Sequence, residues 1–139
     1  MAKVGTRLLT LTVAGSSATD QVSTAKFTTG DADSDFVTFA DAAAGGARQY
    51  NLEFTAAQDM VSGTLWDLIW SAPGTTVLAR IAPYGNAVAS VSQPHYEASV
   101  VVKEPDGDFI GGDADVSTTA KMTYSAVWPC TAKPTKYTS

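Results

Sequence analysis

The sequence predicts a mainly β protein: an antiparallel β-sandwich or partial barrel with one flanking α-helix. Three observations lead there. Several short segments alternate apolar and polar residues with period two. Only one segment carries a helical period. Strands and helices do not alternate, so a parallel sheet with crossover helices is not expected. Composition agrees with this class. The chain has 139 residues, enough for one hydrophobic core, and is 45% apolar but only 17% charged. That is below the roughly 25% usual in soluble domains, and Thr, Ser, Ala, Val and Gly fill the gap, residues of strands and turns.

Thr6–Ala14 reads as the first strand, with Arg7, Leu9, Leu11 and Val13 on one face, and Gly15-Ser-Ser ends it. Val22–Thr29 reads as a second strand, and the two are expected to form a hairpin with a loose connection. Residues 30–47 read as a long loop with at most a short strand at Phe36–Phe39. This loop carries Asp31, Asp33, Asp35 and Asp41 and no base. Arg48–Thr55 alternates cleanly, placing Tyr50, Leu52 and Phe54 inward and Asn51, Glu53 and Thr55 outward.

One helix is predicted over Asp59–Ser71. Val61, Leu65, Leu68 and Ile69 form its apolar stripe, Trp66 and Trp70 flank it, Asp59 or Ser62 caps its start and Pro73-Gly74 stops it. The two tryptophans read as core packing. Thr75–Ala82 and His95–Lys103 read as strands joined through a turn at Pro83-Tyr-Gly-Asn86. A second base-free acidic loop carries Glu104, Asp106, Asp108, Asp113 and Asp115. Ser117–Trp128 reads as the last strand, with Ala120, Met122, Tyr124, Ala126 and Trp128 on its inner side. Pro129–Ser139 reads as an extended tail.

Charge and residue inventory narrow the chemistry. The formal net charge is −5, so tight nucleic-acid binding, which needs clustered Lys and Arg, is not expected. Cys130 is the single cysteine, which rules out an internal disulfide and a cysteine metal cluster. Cys130 and His95, the single histidine, lack the local context of a nucleophile and its base. Asp31-Ala-Asp-Ser-Asp35 starts like a calcium loop, but Phe36 and Ala42 stand where the pattern needs Gly and Glu. Asp106-Gly-Asp108 fails similarly at Ser117. No cofactor, metal site or catalytic residue is expected. The opening residues do not read as a signal peptide, and no run reaches the length of a membrane span.

A set of motifs in fixed order adds to this reading. They are Phe54-Thr-Ala-Ala-Gln-Asp59, Ser62-Gly-Thr-Leu-Trp-Asp-Leu-Ile-Trp70, Ala82-Pro-Tyr-Gly-Asn86, Gln93-Pro-His-Tyr96, Gly111-Gly-Asp-Ala-Asp115 and the closing Ala126-Val-Trp-Pro-Cys-Thr-Ala-Lys-Pro-Thr135. In this order they resemble the major tail (tail tube) proteins of siphophages, especially those of actinobacteria. The likeness covers roughly residues 48–138, and Cys130 replaces the family's usual small residue, which reads as packing.

The resemblance implies a single tail tube domain over residues 1–139. It would form hexameric rings that stack into a tube and act as a conduit for DNA, in the virion tail after assembly in the host cytoplasm. Four strands of each copy would join into one barrel around the lumen. Residues 1–6, the 30–47 loop and the arm 129–139 would stack the rings, with tape measure and terminator proteins as further partners. About 24 strands at roughly 4.8 Å spacing and about 40° tilt give a barrel on the order of 45–50 Å across. The lumen-facing candidates are Asn51, Glu53, Glu97, Ser99, Thr119, Lys121, Thr123 and Ser125, expected to form a hydroxylated, acidic lining past which DNA slides without specific binding. Other readings are a tail terminator, a capsid decoration protein of similar fold, or a β-sandwich carbohydrate-binding module. A carbohydrate module would show exposed aromatics on one face.

Overall fold

Leu11 and Val13 are buried on the inner side of strand β1 (Thr10–Val13), and their partners are the inner residues of strand β5 (Thr76–Ala82), in the register Leu11↔Ile81 and Val13↔Ala79. The other edge of β1 is turned back at once. Ala14 and Gly15 both hold positive φ, 53° and 82°, and this two-residue turn pairs Val13 with Ser16 of β2 (Ser16–Ser17). Two successive left-handed residues give the tight turn whose twist suits a hairpin. The expected hairpin between the first two long strands is therefore not formed: both edges of β1 are already occupied, and the chain crosses to a second sheet.

That second sheet holds β3 (Val22–Asp31), β4 (Arg48–Ala57) and β7 (Thr123–Pro129), in the order β3-β4-β7. The first holds β2-β1-β5-β6-β8, with β6 at His95–Val101 and β8 at Thr135–Tyr137. The computed structural model describes residues 3–31, 36–45 and 48–139. Among them, eight strands form two antiparallel sheets, a sandwich-like fold with a helix on its flank.

The core lies between the sheets. Leu52, Phe54 and Ala56 of β4 and Tyr124, Ala126 and Trp128 of β7 point inward from one side; Leu11, Val13, Ile81, Ala98 and Val100 meet them from the other. Phe54 packs edge-on against Trp128, with centroids 4.8 Å apart, and against Tyr124 at 6.0 Å, the arrangement that aromatic quadrupoles favour. The chain then switches sheets after Trp128: the Cys130 amide still donates to Tyr50 O of β4 (2.8 Å), while the Thr131 amide donates to Ser99 O of β6 (2.9 Å).

Several elements differ from the sequence reading. The short strand expected at Phe36–Phe39 gives way to helix α1 (Phe39–Ala43), because Thr38 and Asp41 form a reciprocal capping box. Helix α2 spans Leu65–Ser71, not Asp59–Ser71. Asp59 spends its carboxylate on the Val61 amide (3.2 Å), Gly63 has φ +89°, and Thr64 is the cap, accepting from the Asp67 amide. The last strand starts at Thr123, not Ser117. Its partner β4 ends at Ala57, opposite Thr123, so residues 117–122 have no strand to pair with. The Ser117 hydroxyl and the Asp115 carboxylate satisfy local amides there instead. The tail is not merely extended, since β8 pairs with β6 in the register His95↔Tyr137.

Gly85 sits in the turn after β5 with φ +73°, and a Cβ there would lie 2.1 Å from Leu8 O. Gly85→Ala is expected to cost more than about 1 kcal/mol, read as a lower urea midpoint. Tyr124 is buried, its hydroxyl has no hydrogen-bond partner among the described residues, and burial pushes its pKa well up. The unfolded chain therefore loses this proton first: stability is full below about pH 10 and falls as pH rises above it. Tyr124→Phe is expected to raise stability at neutral pH by about 1 kcal/mol and to flatten that alkaline decline in urea titrations.

Candidate assembly interface

Alternation along β4 and β7 sets the outer face of the three-stranded sheet. With Leu52, Phe54 and Ala56 inward, Asn51, Glu53 and Thr55 must face out, and β7 adds Thr123, Ser125 and Val127. From β3, Thr24, Lys26 and Thr28 fall opposite Thr55, Glu53 and Asn51. Glu53 accepts a hydrogen bond from Thr28 Oγ1 at 2.6 Å and stands across from Lys26; Thr55 and Ser125 share a hydroxyl contact at 3.0 Å. This face is rich in hydroxyls and its two charges are of opposite sign.

Glu97 and Ser99 lie elsewhere, on the outer face of the five-stranded sheet, opposite Arg80 and Leu78 of β5. Arg80 Nε lies 3.4 Å from Glu97 Oε2, and its guanidinium sits 4.7 Å over the Tyr137 ring of β8. The Nε–Glu97 contact has ion-pair distance but not hydrogen-bond geometry, as Arg80 Nε is left without a hydrogen-bond partner. The outer faces of two packed sheets point away from each other. The structure thus divides the lumen-facing candidates: Asn51, Glu53, Thr123 and Ser125 share one face, while Glu97 and Ser99 share the opposite one. Thr119 and Lys121 sit on neither, because both lie exposed in the connection before β7. The strand faces themselves carry little net charge. Glu53 and Glu97 are the acids on these outer faces, and each is matched by a base.

Most of the other described acids lie outside the strands. Asp31 ends β3 and pairs with Arg48 Nη1 at 2.8 Å. Asp41 caps α1, and Asp33 and Asp35 lie outside the described residues. Glu104, Asp106, Asp108, Asp113 and Asp115 are all exposed on the 102–122 connection. Part of that connection is firmly anchored. Trp128 Nε1 donates to Lys103 O (3.0 Å) and Trp66 Nε1 to Phe109 O (2.9 Å); the Gln58 amide bonds Gly111 in both directions and also donates to Thr123 O. Among the described residues, no three His, Cys, Asp or Glu side chains come together to hold a metal ion.

Of the helix residues, Leu65, Trp66 and Ile69 are buried and Leu68 is half-buried, but Val61 precedes the helix and is exposed. Trp70 is 59% exposed and stacks on Trp66 with centroids 5.5 Å apart, so core packing applies to Trp66 alone. His95 and Cys130 are apart: His95 opens β6, while Cys130 bridges Val100, about 16 Å further along that strand. Burial pushes the Cys130 thiol up, which keeps it protonated.

Sequence reasoning missed Arg80 and Gln58, whose roles depend on partners distant in sequence, and did not assign the Thr24, Lys26 and Thr28 row of β3 to the candidate face. It also missed Thr64 as the cap, although Thr64-Leu-Trp-Asp67 carries a capping-box signal. Comparison with protein families, characterised proteins and solved structures finds no match to this chain.

The helix geometry separates two substitutions. Trp66→Ala is expected to cost about 3–5 kcal/mol. Trp70→Ala loses mainly its stacking contact, about 0.5–1.5 kcal/mol. Urea unfolding followed by circular dichroism reads the difference.

Proposed function

We propose that this chain is a structural subunit that shares strands with identical copies, closes into rings and stacks as the tail tube of a long-tailed phage, a conduit for genome DNA. The observation that carries the reading is the three-stranded sheet. Its edge strand β3 is ten residues long and has a strand partner on one side alone among the described residues, and β7 at the other edge pairs with β4 alone. Long unpaired edges template pairing with another chain. The five-stranded sheet ends instead in strands of two and three residues, β2 and β8. A ring that joins β3 of one copy to β7 of the next removes every long edge at once. The order of motifs resembling siphophage major tail proteins supports the same reading.

In such a ring the hydroxylated face of the three-stranded sheet lines the bore. Its single Lys and single Glu offset each other, so passing phosphates meet little net charge and few counterions are released. Six three-stranded sheets supply about eighteen strands and a backbone diameter of about 36 Å; about 24 strands would give about 48 Å. Residues 1–6, the 30–47 connection and the arm 129–139 then serve stacking, with tape measure and terminator proteins at the tube's interior and end. The protein acts without catalysis and is located in the virion tail. A carbohydrate module is less well supported: among the described residues the exposed Phe36, Phe39 and Trp70 lie off the sheets, and Tyr137 of β8 is the one exposed aromatic on a strand, so no row of aromatics runs along one sheet face.

Negative-stain microscopy of concentrated protein is expected to show rings or tubes, whose diameter separates the two strand counts. A compact single unit at every concentration would overturn the proposal. Deleting residues 31–46 is expected to leave folded rings that do not stack, and full-length tubes from that deletion would remove the connection's role.

A further inference from the structure

The face of α1 has no cover. None of its residues is buried, Phe39 is 96% exposed and Val37 just before it is 57% exposed. A phenylalanine displayed this fully on a capped helix is poorly placed in water and well placed to enter a groove on a partner. The helix carries Asp41, and the whole 30–47 connection holds four aspartates and no base.

A groove of matching character exists on the same chain. Between β3 and the C-terminal arm lies an apolar cleft of about 570 Å³, walled by Ala25, Phe27, Tyr50, Ile81, Tyr96 and Pro134. Three lysines also line it, Lys26 on β3 and Lys133 and Lys136 on the arm, and no acid does. None of the three makes an ion pair among the described residues, where Arg48–Asp31 and Arg80–Glu97 are the pairs formed. The volume falls within the range of clefts that take ligand-sized groups.

We infer that this groove is the seat for α1 of a second copy of the chain: Val37 and Phe39 enter the cleft and Asp41 faces the arm lysines, Lys133 and Lys136. The inference rests on the self-assembly proposed above. The occupant is a second copy because the chain carries plug and socket together, with apolar surface matched to apolar surface and acid to base. In the subunit described here the plug is not in its own socket, since Phe39 is exposed. Such a contact joins different patches on the two copies, so each docked copy still offers an empty groove and the interaction propagates.

Cysteine cross-linking tests it. Phe39→Cys combined with Lys133→Cys places one thiol on the plug and one on the socket wall, both at exposed positions, while the native Cys130 is buried. Mild oxidation of the assembling protein is expected to give a ladder of covalent dimers and larger species on a non-reducing gel, with no ladder from either single variant. Intrachain cross-linking alone, or none, overturns the inference. Phe39→Ser, which removes no core contact, is expected to leave the fold intact by circular dichroism and to weaken self-association at least tenfold in sedimentation; unchanged association also overturns it. Tubes without a ladder would remove the seat and leave the tail tube reading standing. A ladder without rings or tubes would keep the seat and remove that reading.

Discussion

The crossing from Trp128 to Thr131 holds the two sheets to one another. Trp128 is fully buried against Phe54, which sets where β7 lies on β4. Two residues later the backbone is shared: Cys130 still donates to β4 and Thr131 already donates to β6. From that point the arm is committed to run along β6, and the indole of Trp128 reaches out of the core to fix Lys103 O at the start of the acidic connection. A buried indole N–H without a partner would carry a desolvation penalty, so packing and anchoring are satisfied by one side chain. The small side chain at Cys130 suits this corner, where backbone from three strands converges.

Trp66 repeats the device from the helix. Its ring sits in the core while its N–H holds Phe109 O. The acidic connection is therefore tethered through its first half by two tryptophans and by Gln58, while its carboxylates all face solvent. The charge of the molecule is segregated by this architecture. Among the described residues most acids lie off the strands, and the strand faces are left hydroxylated and nearly balanced.

What was legible in the sequence followed from period. The strands around Leu52–Phe54, Ala98–Val100 and Tyr124–Trp128 alternate cleanly because one face of each is in the core, and the antiparallel two-sheet architecture follows from them. The partners were not legible. Nothing in Thr10–Val13 states that it will pair with β5 and not with β3, since that choice depends on Ile81 and Ala79, some 70 residues away. The alternation of Thr119 and Lys121 looked like strand, but alternation describes a face only where a neighbour supplies hydrogen bonds, and β4 ends too early. The site suffered most from this. Asn51 and Glu97 each read correctly as outward, yet outwardness in a sandwich has two opposite directions that a single sequence does not distinguish.

The unequal edges have a consequence for how intermediates behave. Short terminal strands make one sheet inert to its surroundings, so the adhesive character of the subunit is concentrated at the ends of the other. An open arc of several such subunits would still present two raw ends, as a lone subunit does, while a closed circuit presents none. In the proposed ring, closure would remove the last sticky ends in a single step, so arcs of intermediate size would be scarce beside free subunits and finished circles.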